Sequence, residues 1–208
     1  LCPKCGFAAN VEAMVTKVAS VDASKVPALE ELDTPNTPTI DSLVAVLNEK
    51  FGGGYTGAST LKNVMLMADN KAISVLVPGD REVDLKRLQA GLPGVEELRT
   101  FEEADFAKFP TLIKGYIGPQ DAAKSGITVY ADPRVAPGTS WVTGANKKDR
   151  HARNVVNGRD FTPFAYVEAA EIREGDSCPE CATAVVIDRA IEIGHIFQLG
   201  RKYADSLG

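Results

Sequence analysis

Two short apolar runs near the middle of the chain predict a pair of neighbouring strands. They cover residues 64–68 and 73–77, and the polar residues 69–71 lie between them. Apolar runs of this length between turn-forming residues are typical of strands joined by a tight connection. Lys62 stands just ahead of the first run. The pattern therefore places one cation at the beginning of a buried strand pair, where it could meet a phosphate or a polarised carbonyl oxygen.

The clearest helix signal lies in residues 40–51. Thr39 precedes it as a predicted N-cap, and the glycine triplet 52–54 ends it. The triplet lacks the preceding strand and following lysine of a phosphate-binding loop, so we interpret it as a C-cap and turn. The apolar residues recur on one helical face at Ile40, Leu43, Val44, Leu47 and Phe51.

The remaining pattern mixes short helices with short strands. Charged amphipathic segments predict helices over 82–90 and 100–108, the second capped by Thr100, and residues 7–17 fit either a short helix or an extended arm. Further strands are predicted at 126–131, 141–146 and 164–167. Together they predict one α+β (mixed α/β) domain over residues 36–172, with a mixed sheet flanked by helices, between terminal segments 1–35 and 173–208.

Composition narrows the classes of function. The chain has 208 residues, 44% of them hydrophobic, which is enough for one sizeable core. Its 23 basic and 28 acidic residues give a net charge of −5, so any contact with nucleic acid has to be local. The sequence contains no apolar run of membrane-spanning length and no secretion signal at its first residues. We expect a cytoplasmic protein with no membrane partner.

Four cysteines form two pairs near opposite ends of the chain, Cys2 with Cys5 and Cys178 with Cys181. Two residues between the thiols of a pair let both sulfurs reach one tetrahedral metal from a single turn. The pattern predicts two knuckles that share a structural zinc and bring the chain ends together. Four free thiols and redox-active dithiols are the alternatives.

Familiar nucleophilic machinery is missing from the sequence. There are two histidines, no GxSxG elbow, no HExxH pair, and no cysteine between residues 36 and 172. An enzyme here would work by positioning and electrostatics on a substrate that brings its own reactive groups. The candidates are Lys62, the glycine-containing loop 115–119, Asp132 and His151. The alternative interpretations are a surface lysine, a turn aspartate before Pro133, and a surface or capping histidine.

Residues 147–153 form the most basic heptad of the chain, with cations at Lys147, Lys148, Arg150 and Arg153. One hypothesis is a patch that contacts the phosphates of one nucleic-acid strand. The other is a solvated basic loop.

In several segments the chain resembles the insertion, or editing, domain of bacterial-type prolyl-tRNA synthetases, a YbaK-like aminoacyl-tRNA deacylase. The most specific segment is 191–203, which is similar to the part that re-enters the aminoacylation domain, and residues 5–10 are similar to the part that leaves it. Both ends therefore look cut from something larger. The other matching segments follow the family's order at 33–35, 39–40, 60–62, 115–119, 131–132, 144–146 and His151.

This resemblance implies hydrolysis of the ester in tRNA(Pro) mischarged with alanine. It makes Lys62, Gly115 and His151 the predicted catalytic residues, with Lys62 at the terminal adenosine or its phosphate. Water would be activated with help from the ribose hydroxyl of the substrate. The predicted substrate-binding residues are Thr39, Pro119, Asp132 and Gly144.

The resemblance also implies which cofactors and which parent enzyme accompany the editing activity. Editing needs no cofactor, and ATP would serve only a full-length parent that ligates proline to tRNA(Pro), expected to be a homodimer. His195 belongs to the aminoacylation side. At position 190 this chain has alanine where the family usually has glycine. Many family members lack the four cysteines, so zinc is not required for the chemistry.

Two hypotheses compete with the editing domain. They are a non-catalytic, zinc-stapled RNA-binding module and a CxxC redox protein.

Overall fold

The computed structural model describes residues 1–191 and residue 194, so His195 and most of segment 191–203 lie outside the described residues. The described chain is a mixed α/β structure, as predicted. Its helices are α1 (Ile40–Phe51), α2 (Leu85–Ala90), α3 (Glu103–Phe106) and α4 (Pro119–Lys124), with a 3-10 turn at Gly57–Ser59. Its strands are β1 (Glu30–Asp33), β2 (Leu61–Ala68), β3 (Lys71–Pro78), β4 (Leu98–Thr100), β5 (Thr128–Ala131), β6 (Ser140–Lys147), β7 (Arg150–Val156) and β8 (Ala165–Tyr166).

The larger sheet is built around the predicted strand pair. Its order is β4-β2-β3-β5-β8, with β2 antiparallel to β3 and β4, and with β5 parallel to β3 and β8. The β2–β3 hairpin confirms the apolar-run prediction, but β2 starts earlier, because the buried Leu61 already pairs with Pro78. Lys62 therefore lies inside β2 rather than ahead of it.

The smaller sheet has the order β1-β7-β6, and both of its pairings are antiparallel. The basic heptad is not a loop along its whole length, since β7 begins at Arg150. The two sheets meet where Thr60 bridges to Val142 and the Thr143 hydroxyl donates to the Leu61 carbonyl at 3.1 Å.

Local signals place helix α1 as predicted. Thr39 and Ser42 form a reciprocal capping box at its start, and Gly52 ends it in the left-handed region at φ 80°. Leu43 and Leu47 are buried against Leu32 of β1 and Val142 of β6. The buried face of α1 thus fixes its N-terminus beside the junction of the sheets.

Two other helices differ from the prediction. The segment 100–108 is not one helix: Thr100 ends β4 by pairing with Leu66, and α3 follows with Glu102 as its N-cap. Helix α4 follows the glycine loop directly, with Pro119 at its first position, where a missing N–H costs no hydrogen bond. Residues 7–17 form no regular helix and run as an arm with one turn.

Apolar clusters lie on the two faces of the larger sheet, because neighbouring strand residues point to opposite sides. Leu76 belongs to the cluster that also contains Trp141 and Val155 of the smaller sheet. Val75 belongs to the cluster that contains Leu88 of α2. The longest described helix, α1, has 12 residues, and none in the described part of the chain could cross a membrane.

Candidate functional site

A cavity of about 810 Å³ opens where α1, β2 and β6 converge. Five of the residues predicted from sequence line it, although they come from separate parts of the chain. They are Thr39, Lys62, Gly115, Gly144 and His151. The cavity also has apolar walls, from Ile40, Leu43, Met65, Phe101, Ile117 and Val142.

Lys62 contributes a cation that is held in place. Its Nζ donates to the backbone carbonyl of Arg81 at 3.0 Å and forms an ion pair with the Glu82 carboxylate. The Lys62 side chain is 21% exposed, whereas that of Glu82 is 76% exposed. The ammonium thus sits on the cavity wall with one fixed acceptor and one carboxylate that solvent can reach.

The glycine loop packs against β6 at main-chain distance. A Cβ at Gly144 would overlap the Tyr116 carbonyl, and one at Gly118 would overlap the Gly144 carbonyl. Asn146 holds the same loop, because its N–H donates to the Tyr116 carbonyl at 2.6 Å and its side-chain oxygen accepts from Ile113 N at 2.8 Å. Gly115 adopts φ 87°, a left-handed conformation that favours glycine. The loop backbone is therefore pinned beside the cavity.

His151 enters the site as a buried and neutral ring. It is 5% exposed, its Nδ1 lies 2.8 Å from the Thr34 hydroxyl, and its ring lies 5.4 Å from that of Tyr116. Burial lowers the pKa of His151 to about 4, because the charged imidazolium would lose its water. Near neutral pH it can offer shape and hydrogen bonding but not a positive charge.

Asp132 and Pro119 do not line this cavity. Asp132 is fully buried and accepts from Arg134 N at 2.9 Å, from Arg134 Nη1 at 3.1 Å, and from the N–H groups of Ala169 and Ala170. It therefore anchors the chain after β5, which matches the turn interpretation. Pro119 is buried at the start of α4.

The predicted basic patch is largely paired with acidic residues of β1. Lys147 contacts Glu31 at 2.8 Å, Arg153 contacts Glu30 at 2.6 Å, and Arg150 lies 4.0 Å from Asp33. Lys148 is exposed in the turn between β6 and β7. The pairs of Arg150 and Arg153 follow from the β1–β7 register, and all three pairs leave less positive charge for phosphate than the sequence suggested.

Two cavity residues were not among those predicted from the sequence. Among the described residues, Asn63 Nδ2 and Asp80 Oδ1 are buried polar atoms without a hydrogen-bond partner, and both residues line the cavity. A signal was available, because a hairpin of the two predicted apolar runs, 64–68 and 73–77, puts the polar residues just before the first run and just after the second at its open end. Unpartnered polar atoms of this kind are costly unless a ligand or water satisfies them.

The four cysteines lie together, as their spacing predicted. Their sulfurs lie within 4.8 Å of one another, with Cys2 to Cys181 at 3.5 Å and Cys5 to Cys178 at 3.7 Å. A tetrahedral zinc with Zn–S bonds of about 2.3 Å has sulfur–sulfur edges of about 3.8 Å, so the set fits one metal. Hydrogen bonds from the Thr183 side chain and backbone lower the pKa of Cys181 to about 6, which favours a thiolate there. Against the lowering effect of the Phe7 backbone, burial and the other three sulfurs raise the pKa of Cys5 to about 12, so a metal would have to displace the proton from that thiol.

Comparison with known proteins agrees with this geometry. A family model described as the aminoacyl-tRNA editing domain matches residues 34–161, and the chain belongs to that family. It is 53% identical over 207 residues to the proline–tRNA ligase of Streptomyces coelicolor, covering 99% of this chain and 35% of that protein. It is 48% identical over 214 residues to the proline–tRNA ligase of Acidothermus cellulolyticus, covering 99% and 36%. The chain thus spans about a third of the length of these relatives.

Solved structures share the fold at low identity. One, a hypothetical protein, superposes with a TM-score of 0.55 at 14% identity, covering 69% of this chain and 92% of that one. Another, a proposed trans-editing enzyme for prolyl tRNA synthetase, superposes with a TM-score of 0.50 at 14% identity, covering 69% and 87%. These structures share the fold, and the family match together with the ligase relatives confirms the predicted resemblance to the YbaK-like editing domain.

Proposed function

We propose that this chain is the editing domain of a proline–tRNA ligase and hydrolyses the ester that joins alanine to tRNA(Pro). One observation carries the proposal. Lys62 of β2 and the glycine loop from Gly115 line the same cavity, although 53 residues separate them in sequence. The family match and the relatives named as proline–tRNA ligases support it.

The chemistry needs little from protein side chains. A water oxygen adds to the ester carbonyl carbon, the bond from that carbon to the ribose oxygen breaks, and a proton passes to the ribose oxygen, which leaves alanine and uncharged tRNA. Lys62 would hold the terminal nucleotide, and the pinned loop would present backbone N–H groups to the carbonyl oxygen. The low pKa of His151 makes it a weak base, so it would shape the pocket while a ribose hydroxyl of the substrate assists the water.

Alanine selection would depend on size. Apolar side chains, including Met65 and Val142, form much of the wall, and a proline-sized group would need more of that space. The rest of the 810 Å³ volume would accommodate the terminal adenosine. Such a pocket complements an activation site that cannot exclude a smaller amino acid by binding alone.

The test is deacylation of Ala-tRNA(Pro) by the 208-residue chain and by two lysine variants. Lys62→Ala should lower kcat/KM by roughly a hundredfold, the cost of a small misplacement of the bound substrate relative to the groups that react. Lys71→Ala removes an equal charge from the exposed start of β3 and should behave like the unmodified chain. Equal hydrolysis by Lys62→Ala would overturn the role of Lys62. Binding of tRNA with no loss of ester would instead favour the non-catalytic RNA-binding module.

The same proposal covers the surroundings of the site. Residues 36–172 would form the deacylase, with 1–35 and 173–208 as flanks joined by a structural zinc on the four cysteines. The complete ligase would be a cytoplasmic homodimer that uses ATP to attach proline to tRNA(Pro). Lys147, Lys148, Arg150 and Arg153 would contribute weaker, salt-sensitive contacts to tRNA.

A further inference from the structure

The fixed acceptor of Lys62 is itself held by a distant part of the chain. Residues 81 and 82 dock on segment 171–176: Glu82 N donates to the Glu171 carboxylate at 3.1 Å, and Glu171 N donates back to the Glu82 carbonyl at 3.0 Å. Arg81 adds a bond from Nη1 to the Glu171 carbonyl at 3.3 Å. The position of the carbonyl that accepts from Lys62 is therefore set from outside the β2–β3 hairpin.

Asp176 is the centre of this docking. Its two carboxylate oxygens accept from Arg81 Nη1 at 2.9 Å and Nη2 at 2.6 Å, in the two-bond geometry that fixes a guanidinium in direction as well as distance. The same carboxylate accepts from Arg134 Nη2 at 3.0 Å and Arg173 N at 2.9 Å. The side chains of Arg81 and Asp176 are 15% and 10% exposed, so solvent screens the pair only weakly.

The second cysteine knuckle fixes Asp176 in turn. Val185 N donates to the Asp176 carbonyl at 2.8 Å, and Cys178 N donates to the Thr183 carbonyl at 2.8 Å. Cys178 follows Asp176 by two residues, and both lie beyond the segment 34–161 that matches the editing family. A flank of the domain thus reaches the wall of its cavity.

From these contacts we propose that Asp176, acting through Arg81, is a positioning residue for Lys62. The inference rests on the proposed function of Lys62 and extends the site to the segment after residue 172. Without the Asp176 carboxylate, Arg81 loses the two-bond geometry that fixes its direction. Residues 81–82 are then held to segment 171–176 by fewer bonds, and the carbonyl that accepts from the Lys62 ammonium is less firmly placed.

The deciding measurement is the rate at which an amine-acylating reagent modifies Lys62, mapped by mass spectrometry in Asp176→Asn and the unmodified chain. The rate should rise several-fold in Asp176→Asn, because a loosened acceptor frees the amine, while that of Lys71 stays constant as an internal reference. The matched control is Glu168→Gln, which weakens another poorly exposed ion pair, with Arg87 at 2.6 Å, three residues before segment 171–176. It should leave the Lys62 rate unchanged.

Deacylation provides the second readout. Asp176→Asn should lower kcat/KM for Ala-tRNA(Pro) by roughly ten- to a hundredfold, the cost of a small misplacement in a reacting complex, and Glu168→Gln should not. If Asp176→Asn does not fold, Arg81→Lys retains the charge, loses the two-bond geometry and should show the same increase in Lys62 modification. An unchanged Lys62 rate, or an equal rise in Glu168→Gln, overturns the proposal. If the unmodified chain does not hydrolyse the ester, the proposed function fails, while the modification rates still decide the positioning.

Discussion

Lys62 and His151 show two ways to place an ionisable side chain at one cavity. The Nζ of Lys62 contacts an anionic partner and a carbonyl acceptor, and its side chain stays partly exposed. The charge of His151 is removed by burial behind Tyr116 and Thr34. The site therefore combines a fixed cation with a neutral donor or acceptor, which suits binding of a phosphate end beside a small ester.

The buried ring makes stability depend on pH. The folded pKa of His151, about 4, lies below its ordinary value of 6.5, so the unfolded chain binds the proton first as pH falls. Its contribution is fully present above about pH 6.5 and is lost as pH falls towards 4, by roughly 2–3 kcal/mol. Urea unfolding of the 208-residue chain across this range should show the loss, and His151→Gln should lack that part of it. Equal pH dependence in both proteins would contradict the buried, neutral state.

Close packing at Gly144 predicts a different kind of sensitivity. In Gly144→Ala the new methyl group would meet the Tyr116 backbone, so the loop has to move. We expect a loss of about 1–3 kcal/mol in the free energy of unfolding, typical of an overpacked site, and a marked loss of ester hydrolysis. Gly91→Ala is the control, because its methyl group would lie at an ordinary 3.4 Å from Val167. If hydrolysis survives in Gly144→Ala, the loop position is not critical.

At the scale of elements, the predictions that held rest on local signals. Helix α1 carries its cap, apolar face and terminal glycine within fourteen residues, 39–52, and the β2–β3 hairpin has two apolar runs around one turn. Strand β4 has only three residues and is held by its pairing with β2. This pairing leaves no local pattern in the sequence, and the residues from Thr100 onwards therefore suggested a helix instead. Helix α4 has six residues and was not predicted: only its first residue, Pro119, was covered, as the end of the glycine loop.

The site residues also divide into those that the sequence could indicate and those that depend on tertiary contacts. Residue type and family resemblance identified Lys62, Gly115 and His151, and the fold brings all three to one cavity. Asp132 has the residue type of a ligand contact, but its four hydrogen-bond donors come from its own turn and from residues 169–170. The pairing of Arg81 with Asp176 spans 95 residues, and no local pattern could indicate it.

At the scale of the whole molecule, the cysteine cluster closes the chain on itself. Cys2 and Cys181 are 179 residues apart, and their sulfurs lie 3.5 Å from each other. Beside them, the backbones of Leu1 and Val186 pair, and each residue donates its N–H to the other's carbonyl at 2.9 Å. Cys2 and Cys178 are buried beside Met14, Ile172 and Val185 in a small apolar cluster. Such a cluster buries little area by itself, so a crosslink between the ends would add much of its stability.

This closure predicts that metal binding and folding are coupled. The 208-residue chain prepared with zinc should contain one zinc per chain, and Cys178→Ser should contain none. Zinc at about 1,000 times its dissociation constant should stabilise the folded chain by about 4 kcal/mol, so chelation should lower its melting temperature. Met14→Leu alters the same apolar cluster but no ligand, and it should keep the metal. Reversible disulfide formation without bound metal would contradict the zinc assignment and favour a redox dithiol.

Loss of the metal should also affect the cavity, because Asp176 lies two residues before Cys178 and holds Arg81. Chelation should therefore raise the modification rate of Lys62 as well as lower the stability of the chain.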